Sequence, residues 1–225
     1  MTRQILLGTV AALLIAGPVS ALTMIPTADI RVTEAHAIAG DDDVFNSDNP
    51  SPPFSIFESK VGAEAMGFAP PALTIGDAEY NLYGPTADAF AGQVSQIGAL
   101  YIQGSGSVSA SGDHGGMPQL ASFGESDSMP GYGSFQAYAR SALEVLFSID
   151  ESAEFDLSGF LASGNELAVG DVGNDVMSSA GMILKNTDTD TTIFEVEISD
   201  DTQAVSESGV IDPGNYQFLS VLSPW

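Results

Sequence analysis

"SFQAYARSALEVLFSID", Ser134 to Asp150, alternates residue by residue. Phe135, Ala137, Ala139, Ser141, Leu143, Val145, Phe147 and Ile149 share one parity; Gln136, Tyr138, Arg140, Ala142, Glu144, Leu146 and Ser148 share the other. Side chains of a strand point alternately to its two faces, so this pattern gives one apolar face and one mostly polar face. A helix would scatter the same residues around its circumference. The stretch predicts a half-buried strand.

The segments downstream repeat the signal. After the turn "DESAE", "FDLSGFLA" (Phe155 to Ala162) carries Phe155, Leu157, Gly159 and Leu161 at one parity. "SSAGMILKN" (Ser178 to Asn186) and "TIFEVEIS" (Thr192 to Ser199) flank "TDTDT" (Thr187 to Thr191), which predicts a hairpin. "AVSESGVI" (Ala204 to Ile211) leads through "DPGN" (Asp212 to Asn215) into "YQFLSVLS" (Tyr216 to Ser223). Pro213 presets one central φ of a type II turn and Gly214 suits the positive φ that follows. The last strand then reads as a hairpin return in which Tyr216, Phe218 and Leu222 close the core and Trp225 caps one end.

Upstream, "AFAGQVSQIGALYIQGSGSVSASG" (Ala89 to Gly112) alternates around Ile97 to Gln103, and its Ser/Gly run keeps period two about Val108. Small residues at that spacing favour a flat outer strand over a linker. "FSIFESKV" (Phe54 to Val61) reads as a strand, and "ADIRVTEAHAIA" (Ala28 to Ala39) suits a first strand. Between them "GDDDVFNSDNPSPP" (Gly40 to Pro53) reads as a loop, from its clustered Asp and Asn and its three Pro. Strands at spacings near ten residues, with turn signals between, point to one antiparallel all-β domain, a sandwich or barrel.

The amino terminus reads as a leader. Arg3 precedes the apolar run "ILLGTVAALLIA" (Ile5 to Ala16), Pro18 ends it, and Val19 and Ala21 take the small-residue positions of a cleavage site. The expected division is 1–21 signal peptide, 22–53 amino-terminal strand and acidic loop, and 54–225 β-sandwich. Export, periplasmic or extracellular, follows, with no membrane span in the mature chain. The whole sequence has 225 residues and a net charge of −25, one unit more negative without Arg3. Such a charge repels nucleic acid and anionic lipid, and excludes both as partners. It suits saline surroundings, where carboxylates are screened beyond about 10 Å. With no Cys in the chain, stability must come from apolar burial, and thiolate chemistry is excluded.

Three stretches together, "QVSQIGALYIQGSGSVSASG", "ALEVLFSIDESAEFDLSGFLA" and "TIFEVEISDDTQAVSESGVIDPGNYQFLSVLS", resemble exported bacterial β-sandwich proteins of the PEP-CTERM-associated type. The similarity spans about Ala89 to Ser223 and rests on structural motifs. It implies export, a jelly-roll-like fold and a surface or matrix location, and it brings no catalytic residues. The Pro-Glu-Pro, apolar helix and Arg cluster of the sorting signal do not follow the last strand. Free release, or a lost tail, are the corresponding expectations.

Calcium is a hard cation that takes six to eight oxygens, and two acidic clusters invite it. The better is Asp41, Asp43, Asn46 and Asp48, together with Asp42 and Asn49; the other is Asp188 and Asp190, with Asp200 and Asp201. Neither has the glycine and terminal Glu of an EF-hand loop. Asp113 and His114 adjoin in "SGDHGG", but sequence neighbours point apart and no nucleophile is marked by its context. His36 and His114 alone do not make a zinc site. Glu195 and Glu197 share a strand face, the most serious enzymatic arrangement, since paired carboxylates hydrolyse glycosides when they flank a cleft. Sugar clefts want aromatic platforms, for which Tyr101 and Tyr138 are the candidates. The sequence therefore predicts a non-catalytic exported surface or matrix sandwich, with polysaccharide or other surface proteins as partners. The alternative is a polysaccharide-binding or glycan-cleaving sandwich.

Overall fold

The structure, a computed structural model, describes residues 5–16, 24–49, 56–69, 72–75, 78–80, 82–113, 135–164, 178–199 and 201–224. Its strands are β1 (Ile5–Ala16), β2 (Ile25–Ala39), β3 (Asp42–Asp48), β4 (Phe57–Met66), β5 (Leu73–Ile75), β6 (Ala78–Tyr80) and β7 (Thr86–Ile97). There follow β8 (Tyr101–Asp113), β9 (Phe135–Ile149), β10 (Ala153–Ala162), β11 (Ser178–Asn186), β12 (Thr191–Ile198), β13 (Thr202–Ile211) and β14 (Gly214–Pro224). Two six-stranded antiparallel sheets face each other, in the orders β13-β10-β1-β8-β7-β4 and β12-β11-β14-β9-β2-β3; β5 and β6 form a small separate ribbon. The fold is the predicted antiparallel β-sandwich.

Period-two burial sets the layers. In β9, Ala139, Ser141, Leu143, Val145, Phe147 and Ile149 are all buried, and Tyr138, Arg140, Glu144, Leu146 and Ser148 are less so. β14 lies beside it with Phe218 opposite Val145, and Tyr216, Phe218 and Leu222 are buried as the sequence predicts. The Tyr216 ring stacks on Phe147 at 5.6 Å and its hydroxyl donates to the Asp212 carbonyl. The core is graded. Toward β2, β4 and β7 it is lined by Ala35, Ala37, Ala63, Ala65, Ala89 and Ala91, and toward β10, β11 and β14 by Leu157, Leu161, Met182 and Phe218.

Several sequence expectations are corrected. The Ser/Gly-rich β8 is not an outer strand, because β1 and β7 flank it. Its glycines face inward where the sheets come close: a Cβ on Gly106 would stand 2.6 Å from Ser141 Oγ, and one on Gly104 2.9 Å from Leu143 Cδ2. The predicted loop from Gly40 holds strand β3, which pairs with β2 from Ala39↔Asp42 to Thr33↔Asp48. Gly40, at φ +62°, opens the two-residue turn between them, where only glycine is unstrained. "DPGN" is no hairpin. Ile211 pairs with Ala153 in one sheet and Gly214 with Ile149 in the other, so the turn crosses between layers, and Gly214 starts β14 without a positive φ. The "TDTDT" hairpin does join β11 to β12, with Asp190 at φ 58° supplying its left-handed residue.

The apolar run near the amino terminus, read from the sequence as a leader, takes part in the sandwich of the full chain. In the full chain it is strand β1, hydrogen-bonded to β8 on one side and β10 on the other. Ala11, Leu13 and Ile15 are each 1% exposed, while Val10 and Leu14 are 57% and 51% exposed. A leader and a buried strand both need apolar residues, and alternation within so uniform a run shows only when the neighbours are known. β2 (Ile25–Ala39), in turn, pairs along its length with β9 and belongs to the β9-containing layer.

Candidate functional site

The acidic segment Asp42–Asp48 is the edge of its sheet, and an edge strand displays alternate residues to opposite sides. Asp43 points outward, where its Oδ1 lies 2.7 Å from His36 Nε2, and the His36 ring meets Phe45 edge-on at 5.6 Å. Tyr138 is the cross-strand partner of His36 on that same outer face. Asp42 and Asn46 turn the other way and tie β3 to β4 of the opposite layer. Asp42 Oδ2 accepts from the Met66 amide at 2.9 Å, and Asn46 Nδ2 donates to the Gly62 carbonyl at 2.6 Å. Asp48, half-buried, shares their parity, and Asp41 is exposed in the turn. The proposed calcium ligands Asp41, Asp43, Asn46 and Asp48 are thus divided between a turn and two faces rather than gathered about one point. Among the described residues no group of three or more Asp, Glu or His side chains is positioned to hold a metal ion.

The second acidic cluster is divided too. Asp188 Oδ2 accepts from the Asn215 amide at 2.8 Å and Oδ1 from the Asn215 side chain at 2.9 Å. These two bonds, the side-chain one foremost, hold its carboxyl below the ordinary value. They pin the β11–β12 hairpin to the crossover into β14. Asp190 binds Lys185, whose hydrogen bond and charge likewise lower its carboxyl. Asp201 lies at the far end of β12, roughly 25 Å along the strand, where its Oδ1 takes the Thr202 amide at 2.7 Å. Asp200 lies outside the described residues, as do His114 and Trp225.

Glu195 and Glu197 do share the exposed face of β12, as the alternation predicts, and β12 is the other edge of that sheet. Charges on edge strands keep their free amides and carbonyls from pairing with another chain. Tyr101 is paired with Leu14 in one sheet and Tyr138 with His36 in the other, so the two candidate platforms lie in separate layers.

Sequence reasoning missed one depression among the described residues. It lies on the outer face of the β1-containing sheet, encloses about 330 Å³, and is lined by Val10, Phe90, Val94, Phe160, Lys60 and Ser105 among others. No carboxylate or tyrosine lines it. Phe90, Val94 and Phe160 are 38%, 45% and 48% exposed. Their signal was on the page: Phe90 falls between inward Ala89 and Ala91, and Phe160 between Gly159 and inward Leu161, so each is an aromatic at an outward parity. A second cavity of about 10 Å³ between the layers, lined by Gln93, Ser141, Ser220 and Leu143, is too small for a sugar ring.

Comparison of the chain with models of known protein families, with characterised proteins and with solved structures finds no match.

Proposed function

We propose that this chain is a non-catalytic exported β-sandwich that works by association at a cell surface or in an extracellular matrix, as the resemblance to PEP-CTERM-associated proteins implies. The observation that carries the reading is the set of outward side chains Phe90 and Val94 on β7 and Phe160 on β10, apolar and half-exposed on a chain of net charge −25. Exposed apolar surface on an otherwise highly charged protein marks a contact surface. The edges, by contrast, are acidic: Asp42, Asp43 and Asp48 on β3 and Glu195 and Glu197 on β12. Like charges there oppose edge-to-edge stacking and direct contact toward the apolar face. Divalent cations, calcium first, would bridge the acidic edges of neighbouring molecules rather than fill a cage within one.

The glycan-cleaving alternative has less support. Hydrolysis needs two carboxyl groups across a cleft, whereas Glu195 and Glu197 are two residues apart on the exposed face of one edge strand. The test combines fractionation with a glycan array run with and without Ca²⁺. Recovery in the envelope or matrix fraction, with release by a chelator or by detergent, is the expected outcome. Hydrolysis of any arrayed polysaccharide that Glu195→Gln or Glu197→Gln abolishes would overturn the reading.

A further inference from the structure

β1 occupies a slot one strand wide. It pairs with β8 from Ile5↔Ala110 to Leu14↔Tyr101 and with β10 from Gly8↔Ala162 to Ala16↔Glu154, antiparallel to both. The walls are cut for it. Opposite Ala11, Gly159 has no side chain, and a Cβ there would stand 2.5 Å from the Val10 carbonyl oxygen and 2.7 Å from Met182 Cε. Inward Ala11, Leu13 and Ile15 fill core positions facing the opposite layer. Without β1 the edges of β8 and β10 would stand two strand spacings apart, roughly 9.5 Å, too far to pair with each other. Each would present a row of free amides and carbonyls above an open core.

We infer that the gap between β8 and β10 is a strand-binding site. When cleavage after Ala21 removes β1, the gap takes an extended apolar segment of a partner polypeptide, antiparallel to both edges. This rests on the export reading, since cleavage is what would open the site in the cell. Main-chain bonds along two edges supply the affinity and the inward pockets supply the selection. The ligand class is read from the strand now seated there: no charge and no proline, and small, branched, branched side chains where Ala11, Leu13 and Ile15 stand. The partner is a different polypeptide. Within this sequence the only uncharged apolar run outside the other strands is the one lost with the leader, so a second mature copy has none to lend.

The test starts from the full chain with a specific protease site placed between Pro18 and Leu22, cut only after folding. The probe is a labelled peptide of Ile5–Ala16, and its control carries Leu13→Asp and Ile15→Asp. The cut chain is expected to keep its own fragment through gel filtration and to exchange it for the probe. The control should bind roughly 100-fold more weakly or not at all, because two carboxylates would enter a dry core. A cut chain that sheds the fragment, melts unchanged and takes up neither peptide overturns the proposal. Should cutting cause aggregation, the uncut chain carrying Leu13→Asp gives the second measurement. Probe added during its refolding must restore the native melting transition, and failure to do so also overturns the proposal. Sequencing the amino terminus of the exported chain tests the export reading separately, since retention of Met1 would refute cleavage and leave the binding result standing.

Discussion

Leu13 and Leu14 are neighbours in the chain and opposites in the fold, which makes them a sharp test of β1. Leu13 is 1% exposed and Leu14 51%. Truncating a fully buried leucine to alanine removes its transfer free energy and leaves a cavity, together about 2–5 kcal/mol. Truncating a half-exposed one forfeits about 1 kcal/mol or less. For a chain of this size each kcal/mol shifts Tm by about 2–4 °C. Leu13→Ala in the full chain should therefore lower Tm by roughly 5–15 °C, and Leu14→Ala by a few degrees at most. Thermal melts followed by far-ultraviolet circular dichroism, with urea titrations at constant slope, measure both. Equal small losses would mean that the segment is not in the core, and a larger loss at Leu14 would mean that the strand faces the other way.

Other expectations follow from single contacts. Arg31 is 1% exposed, its Nε lies 2.7 Å from Asp29 Oδ2, and its guanidinium stands 5.9 Å above the Phe57 ring. Arg31→Ala should cost about 3–5 kcal/mol by stranding the Asp29 carboxylate, and Asp29→Leu with Arg31→Met should recover most of it in urea titrations. Gly159→Ala should cost about 1–3 kcal/mol in the full chain, since its Cβ would press on β1 backbone. Asp188 and Asp190 titrate below the ordinary 3.8 when folded, so the stability they add is present above that value and is lost as pH falls through their lower folded values. Asp188→Ala should accordingly flatten the loss of stability below pH 3.8 while leaving the neutral-to-basic limb unchanged in shape. Phe90→Ser with Phe160→Ser should reduce association measured by sedimentation without lowering Tm by more than a few degrees.

What the sequence revealed depended on whether a signal was local. β9, β10 and β14 were legible because each has one dry face and one wet face, and alternation alone reports that. β3 was hidden because Asp and Asn are turn formers in isolation, yet an edge strand tolerates them where its side chains meet solvent or, as with Asp42 and Asn46, the backbone of β4. "DPGN" announced a change of direction and could not announce which layer the next strand would enter. The acidic clusters were legible as composition only. Whether Asp41, Asp43, Asn46 and Asp48 converge depends on the alternation of β3, which separates them. Phe90 and Phe160 were visible as outward aromatics, but that they flank one depression follows from sheet order, in which β1 and β8 separate their strands.

The sandwich of the full chain depends most directly on β1 lying between β8 and β10 in register. Because the chain has no Cys, introduced thiols report without interference. Ala12 is paired with Ser158 on one side and with Gln103 on the other. Oxidation of the full chain carrying Ala12→Cys with Ser158→Cys, or Ala12→Cys with Gln103→Cys, should form the intramolecular disulfide in both, read as mass loss and altered gel mobility. Ala12→Cys with Glu154→Cys, displaced by four residues along β10, should form none. Equal cross-linking in all three pairs, or none in the first two, would contradict the placement of the strand.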